Sequence, residues 1–286
     1  MANYTGIQGQ NILIVDTDPA NPTEGQIWYN STSNLLKGYQ FTPDVWVSGG
    51  NMGSSRYGTS AAGTATATLA IGGYGGSPES YLTAVEKYNG TTWSPTGSLN
   101  QSSNFGGAGF GTQTAAVAVA GFQQPISPAN LNFTENFNGS TWTNQGAYSY
   151  TGPGLAGVGV QTAGLAFCGF GGDPTSLTSA STYNGSTWTV VPATLGTARY
   201  SVAGAGTQTA ALAFGGGNPS GSSGATELWN GSSWTTVTSM TTARDSLGRG
   251  GTSTAALASG GFGTVITAAT EEFTGAAAIT QTVTVS

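Results

Sequence analysis

The chain has 286 residues, a formal net charge of −6, only six Lys or Arg and no histidine. Six scattered cations cannot line a phosphate-neutralising groove or a face for anionic lipid, so nucleic acid and charged membranes are excluded as partners. Without histidine there is no Ser/His/Asp triad and no His-bearing zinc or copper site.

Charged residues make up 6% of the chain, against about 25% in an average globular domain. Ser, Thr, Asn and Gln must therefore solvate the surface. Seven Trp, eleven Tyr and eleven Phe supply the apolar area of a core. Cys168 is the single cysteine, so no intrachain disulfide is expected. It stands where a later copy of the repeat has Gly215 and reads as a small buried residue. The opening residues Met1 to Gly6 show no basic n-region and no apolar run, which predicts no secretory leader. No stretch approaches the roughly 20 apolar residues of a membrane span, so no membrane insertion is expected.

In chain order, residues 1–24 are polar apart from Ile12 to Val15, and a turn-rich segment follows at Asp16 to Pro22. Gln26 to Asn30 and Leu35 to Tyr39 flank Ser31-Thr32-Ser33-Asn34, which predicts a hairpin with a four-residue loop. Val45-Trp46-Val47 leads into the first of five repeats. Each repeat holds a glycine- and alanine-rich strand and then an apolar strand closed by a small pair. The second member of that pair is Gly73, Gly121, Gly169, Gly216 or Gly261, at separations of 48, 48, 47 and 45 residues. A variable loop and a third strand ending in Tyr88, Phe137, Tyr183, Trp229 or Phe273 come next. Asn-Gly turns stand at Asn89, Asn138, Asn184 and Asn230. Both turn residues are expected to accept positive φ. A fourth strand opens at Trp93, Trp142, Trp188 or Trp234, opposite the aromatic that precedes the turn.

Four antiparallel strands in about 47 residues, repeated, is the arithmetic of an all-β propeller blade. The parallel β-helix is the competitor, but its coils are usually shorter and lack a regular Asn-Gly hairpin. The expected fold is a propeller of five clear four-stranded blades over residues 45–286. Residues 1–44 add either a hairpin for attachment or a partial sixth blade.

These residues carry two resemblances. A glycine pair, an aromatic, a Trp, and then Arg56, Arg199 or Arg244 resemble the kelch repeat. The second repeat departs with Ala120 and Asn104, the third with Cys168 and Gly152, and the fifth with Ala278 in place of Trp. Residues Asp18 to Asn30 with Leu35 to Gly38 resemble the start of virion proteins of tailed (marine-type) bacteriophages. There the segment precedes repeats like the string that Gly206 to Gly216 spell here. The combination implies a structural or host-recognition protein of a phage particle, a head or tail decoration or a fibre-associated adhesin. Such a protein would be made in the host cytoplasm, sit in several copies in the virion and meet a host surface glycan.

The chemistry of single residues adds bounds. Glu86, Glu135, Glu227 and Glu271 recur two residues before the third-strand aromatic, with Ser181 in the third repeat. A glycosidase needs only a carboxylate pair, but copies on a ring stand apart. A repeat-level role, accepting hydrogen bonds from neighbouring-blade amides or facing solvent, is expected instead. The chain is therefore read as no enzyme, with no catalytic, metal or cofactor residue assigned. Asp16, Asp18 and Asp44 are too scattered for a calcium loop. Trp93, Trp142, Trp188 and Trp234 are expected to pack between blades rather than stack on sugars. Partner or ligand contacts are assigned to Trp28, Tyr29, Leu35 and Leu36 near the N-terminus. Tyr74, Tyr81 and Phe122 beside the variable loops are assigned likewise, since recognition usually sits on loops of a rigid scaffold.

Overall fold

The computed structural model describes residues 12–20, 26–38, 50–75, 78, 80–101, 106–122, 130–171 and 177–275. They contain strands, turns and bends and no helix. The chain divides into two compact units, residues 1–48 and 49–286.

In the first unit, Ile27–Asn30 pairs antiparallel with Leu35–Gly38 across the four-residue loop, with Asn30 opposite Leu35. The expected two-stranded hairpin is in fact a three-stranded sheet, because Leu13–Val15 adds in parallel with Leu13 opposite Trp28. A two-stranded hairpin alone is marginal in water. The third strand and one carboxylate supply what it lacks. Asp18 Oδ1 accepts from Trp28 Nε1 at 2.9 Å and from Asn30 Nδ2 at 2.8 Å. Its Oδ2 accepts from Lys37 Nζ at 2.6 Å. These donors, Lys37 first and then Trp28 and Asn30, lower the Asp18 pKa to about 2.

The second unit contains five repeat sheets, numbered I to V. Sheet I is built from Ser60–Thr64, Ala67–Ile71, Val85–Tyr88 and Trp93–Pro95. Sheet II has Ala108–Thr112, Ala115–Phe122, Asn130–Phe137 and Trp142–Asn144. Sheet III has Ala156–Val160, Ala163–Phe167, Ala180–Tyr183 and Trp188–Val191. Sheet IV has Ala203–Gly206, Ala211–Phe214, Thr226–Trp229 and Trp234–Val237. Sheet V has Gly248–Gly251, Ala255–Ser259 and Thr270–Thr274. Its expected fourth strand, from Ala278, lies outside the described residues. Every sheet is an antiparallel meander with its strands in sequence order. Repeated sheets of this kind make the fold propeller-like.

The first strands of successive sheets pack against one another from sheet I to sheet V. That contact explains their glycine: a Cβ on Gly109 would stand 2.7 Å from the Ala61 carbonyl oxygen. The second strands are the most buried, with Val117, Leu165, Phe167 and Leu212 all fully covered. The hairpins hold the expected register, pairing Tyr88 with Trp93, Phe137 with Trp142, Tyr183 with Trp188 and Trp229 with Trp234. The turns differ from expectation in one respect. Only the glycine takes positive φ, 93° at Gly90 for instance. Asn89 closes its turn through the side chain, Oδ1 accepting from the Thr91 and Thr92 amides at 3.0 and 2.8 Å. This is the Asx pattern, which leaves the Asn backbone in its ordinary region.

Two devices join one sheet to the next. The fourth-strand Trp leans on the preceding sheet: Trp142 Nε1 donates to Gly97 O at 2.8 Å, and Trp188 Nε1 to Thr134 Oγ1 at 2.8 Å. Trp234 stands edge-on to Phe167 at 5.1 Å. The second device is a glutamine. Gln113 Nε2 donates to the carbonyls of Thr68 and Tyr88, Gln161 Nε2 to those of Ala116 and Phe137, and Gln208 Nε2 to those of Gly164 and Tyr183. Each amide staples the second and third strands of the sheet before it. Sheet V carries Ser253 at this position, and sheet I carries Ala65.

Candidate recognition surface

The recurring glutamates are the first test of the site. Glu227 and Arg199 form a buried ion pair at 2.8 Å, their side chains 3% and 0% exposed. The same Arg donates Nη1 to the carbonyls of Gly215 and Ala225, both at 2.6 Å. The second carboxylate oxygen accepts from the Gly196 amide at 2.6 Å. Arg56 with Glu86 in sheet I and Arg244 with Glu271 in sheet V repeat the arrangement. In each case the Arg lies in the segment entering a sheet and locks that sheet's second and third strands. Sheet III has lost both partners together, with Ser181 and Gly152 in their places. In sheet II, Glu135 accepts instead from the Asn100 and Gln101 amides and the Asn100 side chain. Burial pushes its pKa up, against those donors. At Glu271 burial also favours the neutral form, but the Thr241 amide, Arg244 and the Thr242 amide outweigh it and hold the pKa low. All four carboxylates are thus held in structural hydrogen bonds. The sequence showed each partner separately but not the pairing, because some 27 to 30 residues separate Arg from Glu.

The loop-side aromatics come together more closely than their spacing suggests. Arg56–Tyr57, Tyr74–Gly75 and Ser80–Tyr81 form a small antiparallel ribbon beside sheet I. Its register sets Tyr57 opposite Tyr74 and Tyr74 opposite Tyr81. Ring centroids follow at 5.7 Å and 5.0 Å, and Phe122 of sheet II continues the row 6.3 Å beyond Tyr81. All three contacts are edge-to-face, the favourable geometry for aromatic pairs. Tyr57 is 62% exposed and the other three rings are half-buried. Tyr74, Tyr81 and Phe122 are therefore one feature, to which the structure adds Tyr57. A second pair, Phe170 and Tyr200, lies 5.7 Å apart at the equivalent level of sheets III and IV. Of the variable loops, Gly217–Asn218 and Gly221–Ser222 form a short hairpin. Residues 76, 77, 79, 123–129 and 172–176 lie outside the described residues.

The N-terminal assignments need one correction. Trp28 is 6% exposed and faces the Asp18 network, so it is a core residue of its unit rather than a contact surface. Alternation places Ile14, Ile27, Tyr29 and Leu36 on the opposite face. There Ile14 and Leu36 are 70% and 62% exposed. Leu35 is also exposed, beside Asn30. Among the inter-sheet tryptophans, Trp142 is buried and Trp93, Trp188 and Trp234 are half-buried. Trp142, Trp188 and Trp234 contact the preceding sheet as given above. The pair glycines Gly73, Gly121, Gly169, Gly216 and Gly261 all take positive φ, from 96° to 131°. Among the described residues, no group of three His, Cys, Asp or Glu is placed to hold a metal ion. The described residues hold no helix, and so none that is long and apolar enough to cross a membrane.

No protein-family model and no curated protein sequence matches the chain. Among solved structures, one titled "Structure of YjhT" superposes with a TM-score of 0.63 at 15% identity, covering 76% of this chain and 81% of that one. At that identity the likeness concerns the fold alone.

Proposed function

We propose that this protein is a structural and host-recognition component of a tailed-bacteriophage particle. In this reading it is a kelch-like propeller of five blades, six if residues 1–44 supply another. The observation that carries recognition is the row Tyr57, Tyr74, Tyr81 and Phe122, which offers a run of ring surface at the loop side. Aromatic rings on a rigid scaffold suit the apolar faces of sugar rings. The nearby Arg56 is engaged by Gly72 O, Ala84 O and Glu86, so in this reading it is not a counter-ion for an anionic ligand. The particle half of the proposal rests on the resemblance of residues 18–38 and 206–216 to virion proteins. The exposed face of Ile14, Ile27, Tyr29 and Leu36 supports attachment through the N-terminal unit.

The test is mass spectrometry of purified particles, followed by incorporation of a variant lacking residues 1–40. Presence of the full chain, and a truncated chain that folds but stays out of the particle, is the expected result. Absence from particles overturns the particle half. Normal assembly of the truncated chain overturns attachment. A second reading, a lectin-like propeller outside any particle, is favoured by the same aromatic row. It predicts glycan binding that Tyr57→Ala and Tyr74→Ala remove, by a protein never found in virions. A glycan-cleaving enzyme is the least supported reading, because the repeated glutamates are occupied.

A further inference from the structure

Sheet III lacks both members of the Arg–Glu lock, since Gly152 and Ser181 stand in their places. Elsewhere the guanidinium caps two carbonyls: those of Gly72 and Ala84 in sheet I, Gly215 and Ala225 in sheet IV, and Gly260 and Ala269 in sheet V. In each pair the amide of the first residue also donates to the carbonyl of the second. Cys168 N donates to Ser179 O in the same way at 3.0 Å, which identifies the Cys168 and Ser179 carbonyls as the matching pair in sheet III. Glycine at position 152 has no side chain to cap them.

Hydroxyls gather at this place. Tyr148 stands four residues before Gly152, as Leu195 stands before Arg199. Its ring is buried, edge-on to Trp188 at 4.9 Å. Burial pushes the phenol pKa up, with Cys168 and Tyr150 adding to it and Ser181 opposing, so Cys168 and Ser181 are both neighbours of the hydroxyl. Yet Tyr148 Oη makes no hydrogen bond within the protein, and neither does the buried Ser179 Oγ. Ser181 Oγ reaches Ser149 Oγ at 3.4 Å. Buried hydroxyls without a partner are rare in native proteins and call for a bridging group. Room for one comes from the exchange of two long side chains for Gly and Ser.

We infer that an internal water holds the guanidinium position of sheet III, bridging the Tyr148 and Ser179 hydroxyls to the carbonyls of Cys168 and Ser179. A buried water makes about three hydrogen bonds, and this site offers two carbonyl acceptors and two hydroxyls that donate or accept. Charge argues against an ion in its place. Burial raises the Cys168 pKa and Arg199 opposes it, so a cation here would face the Arg199 guanidinium. An anion would face two carbonyl oxygens. The water does for sheet III what arginine does for sheets I, IV and V: it ties the end of the second strand to the start of the third.

The experiment is a crystal structure of the full chain at a resolution that shows ordered solvent, with a second crystal grown in rubidium chloride. The expected result is a solvent peak within hydrogen-bond distance of Tyr148 Oη, Ser179 Oγ and at least one of the two carbonyls, with no anomalous signal from rubidium. Thermal melts of Tyr148→Phe and Ser179→Ala read the same contacts in solution. Each variant deletes one hydrogen bond to the water and should lower the melting temperature by about 1–6 °C. A hydroxyl with no partner would behave in the opposite way, because its removal relieves a desolvation penalty. Absence of the solvent peak, a rubidium peak in its place, or a melting temperature that stays or rises in either variant overturns the inference.

Discussion

Replacing Arg199 by Met tests how the sheets are locked. The guanidinium is fully buried and satisfies two carbonyls and one carboxylate at 2.6 to 2.8 Å. Met fills much of the same volume but leaves the Glu227 carboxylate buried, with the Gly196 amide as its remaining partner. Breaking a buried pair from one side costs about 3–5 kcal/mol, mostly the penalty of the stranded charge. For a unit of this size that is a fall in melting temperature of about 6–20 °C, at roughly 2–4 °C per kcal/mol. Glu227→Ser alone strands the Arg and should cost a similar amount. The double variant Arg199→Met with Glu227→Ser should not cost the sum. It removes both charges and approaches the state of sheet III, where Ser181 and Gly152 stand in these places. A coupling of at least about 2 kcal/mol is expected from the cycle, within the range for residues in direct contact. Urea titrations followed by fluorescence measure it. The pair is screened from solvent, so added salt should change the coupling little. An Arg199→Met variant within about 1 kcal/mol of wild type, or strictly additive singles, would falsify the account of Arg–Glu pairs as the locks of the sheets.

Gly216→Val should cost several kcal/mol, because its Cβ would stand 2.6 Å from Val202 Cγ2 at a φ of +100°. Ser220→Val, on an exposed loop, should fall within about 0.5 kcal/mol of wild type, and equal melting temperatures for the two would refute the constraint. Gln161→Ala leaves the carbonyls of Ala116 and Phe137 without the amide and should lose about 1–3 kcal/mol in thermal melts. Burial pushes the Cys168 thiol up to about 12, opposed by Arg199, so alkylation at pH 8 should wait for unfolding; rapid labelling of native protein would contradict it. The two carboxylates run in opposite directions with pH. The lowered pKa of Glu271 gives stability above the unfolded value that is lost as pH falls through the folded one. The raised pKa of Glu135 gives stability present below the unfolded value and lost as pH rises through the folded one. Glu271→Gln should therefore flatten the acid limb of a stability–pH curve, and an unchanged limb would count against the assignment.

Sequence alone determined the features set by short-range rules. The Asn-Gly turns and the five-residue step from aromatic to Trp fix a hairpin register, because a four-residue loop leaves one pairing. The small pairs mark the ends of the second strands in sheets I, III, IV and V, whereas in sheet II the strand runs through Ala120 and Gly121 to Phe122 with a shift of register between Val119 and Gly121, and the period gives the number of repeats. Tertiary structure decided the partnerships between segments distant in the sequence. Tyr57 lies 17 residues from Tyr74 in the sequence, and only the ribbon register sets their rings side by side. Gln161 reaches back 45 residues to Ala116, which no local pattern encodes. Trp28 and Leu36 are both apolar residues of one hairpin. The Asp18 carboxylate and the parallel strand Leu13–Val15 turn the first inward, while Leu36 on the opposite face remains exposed. The physical reason is range: turn chemistry and alternation act over a few residues. Burial and hydrogen-bond partners are settled only when distant segments compete for the same face.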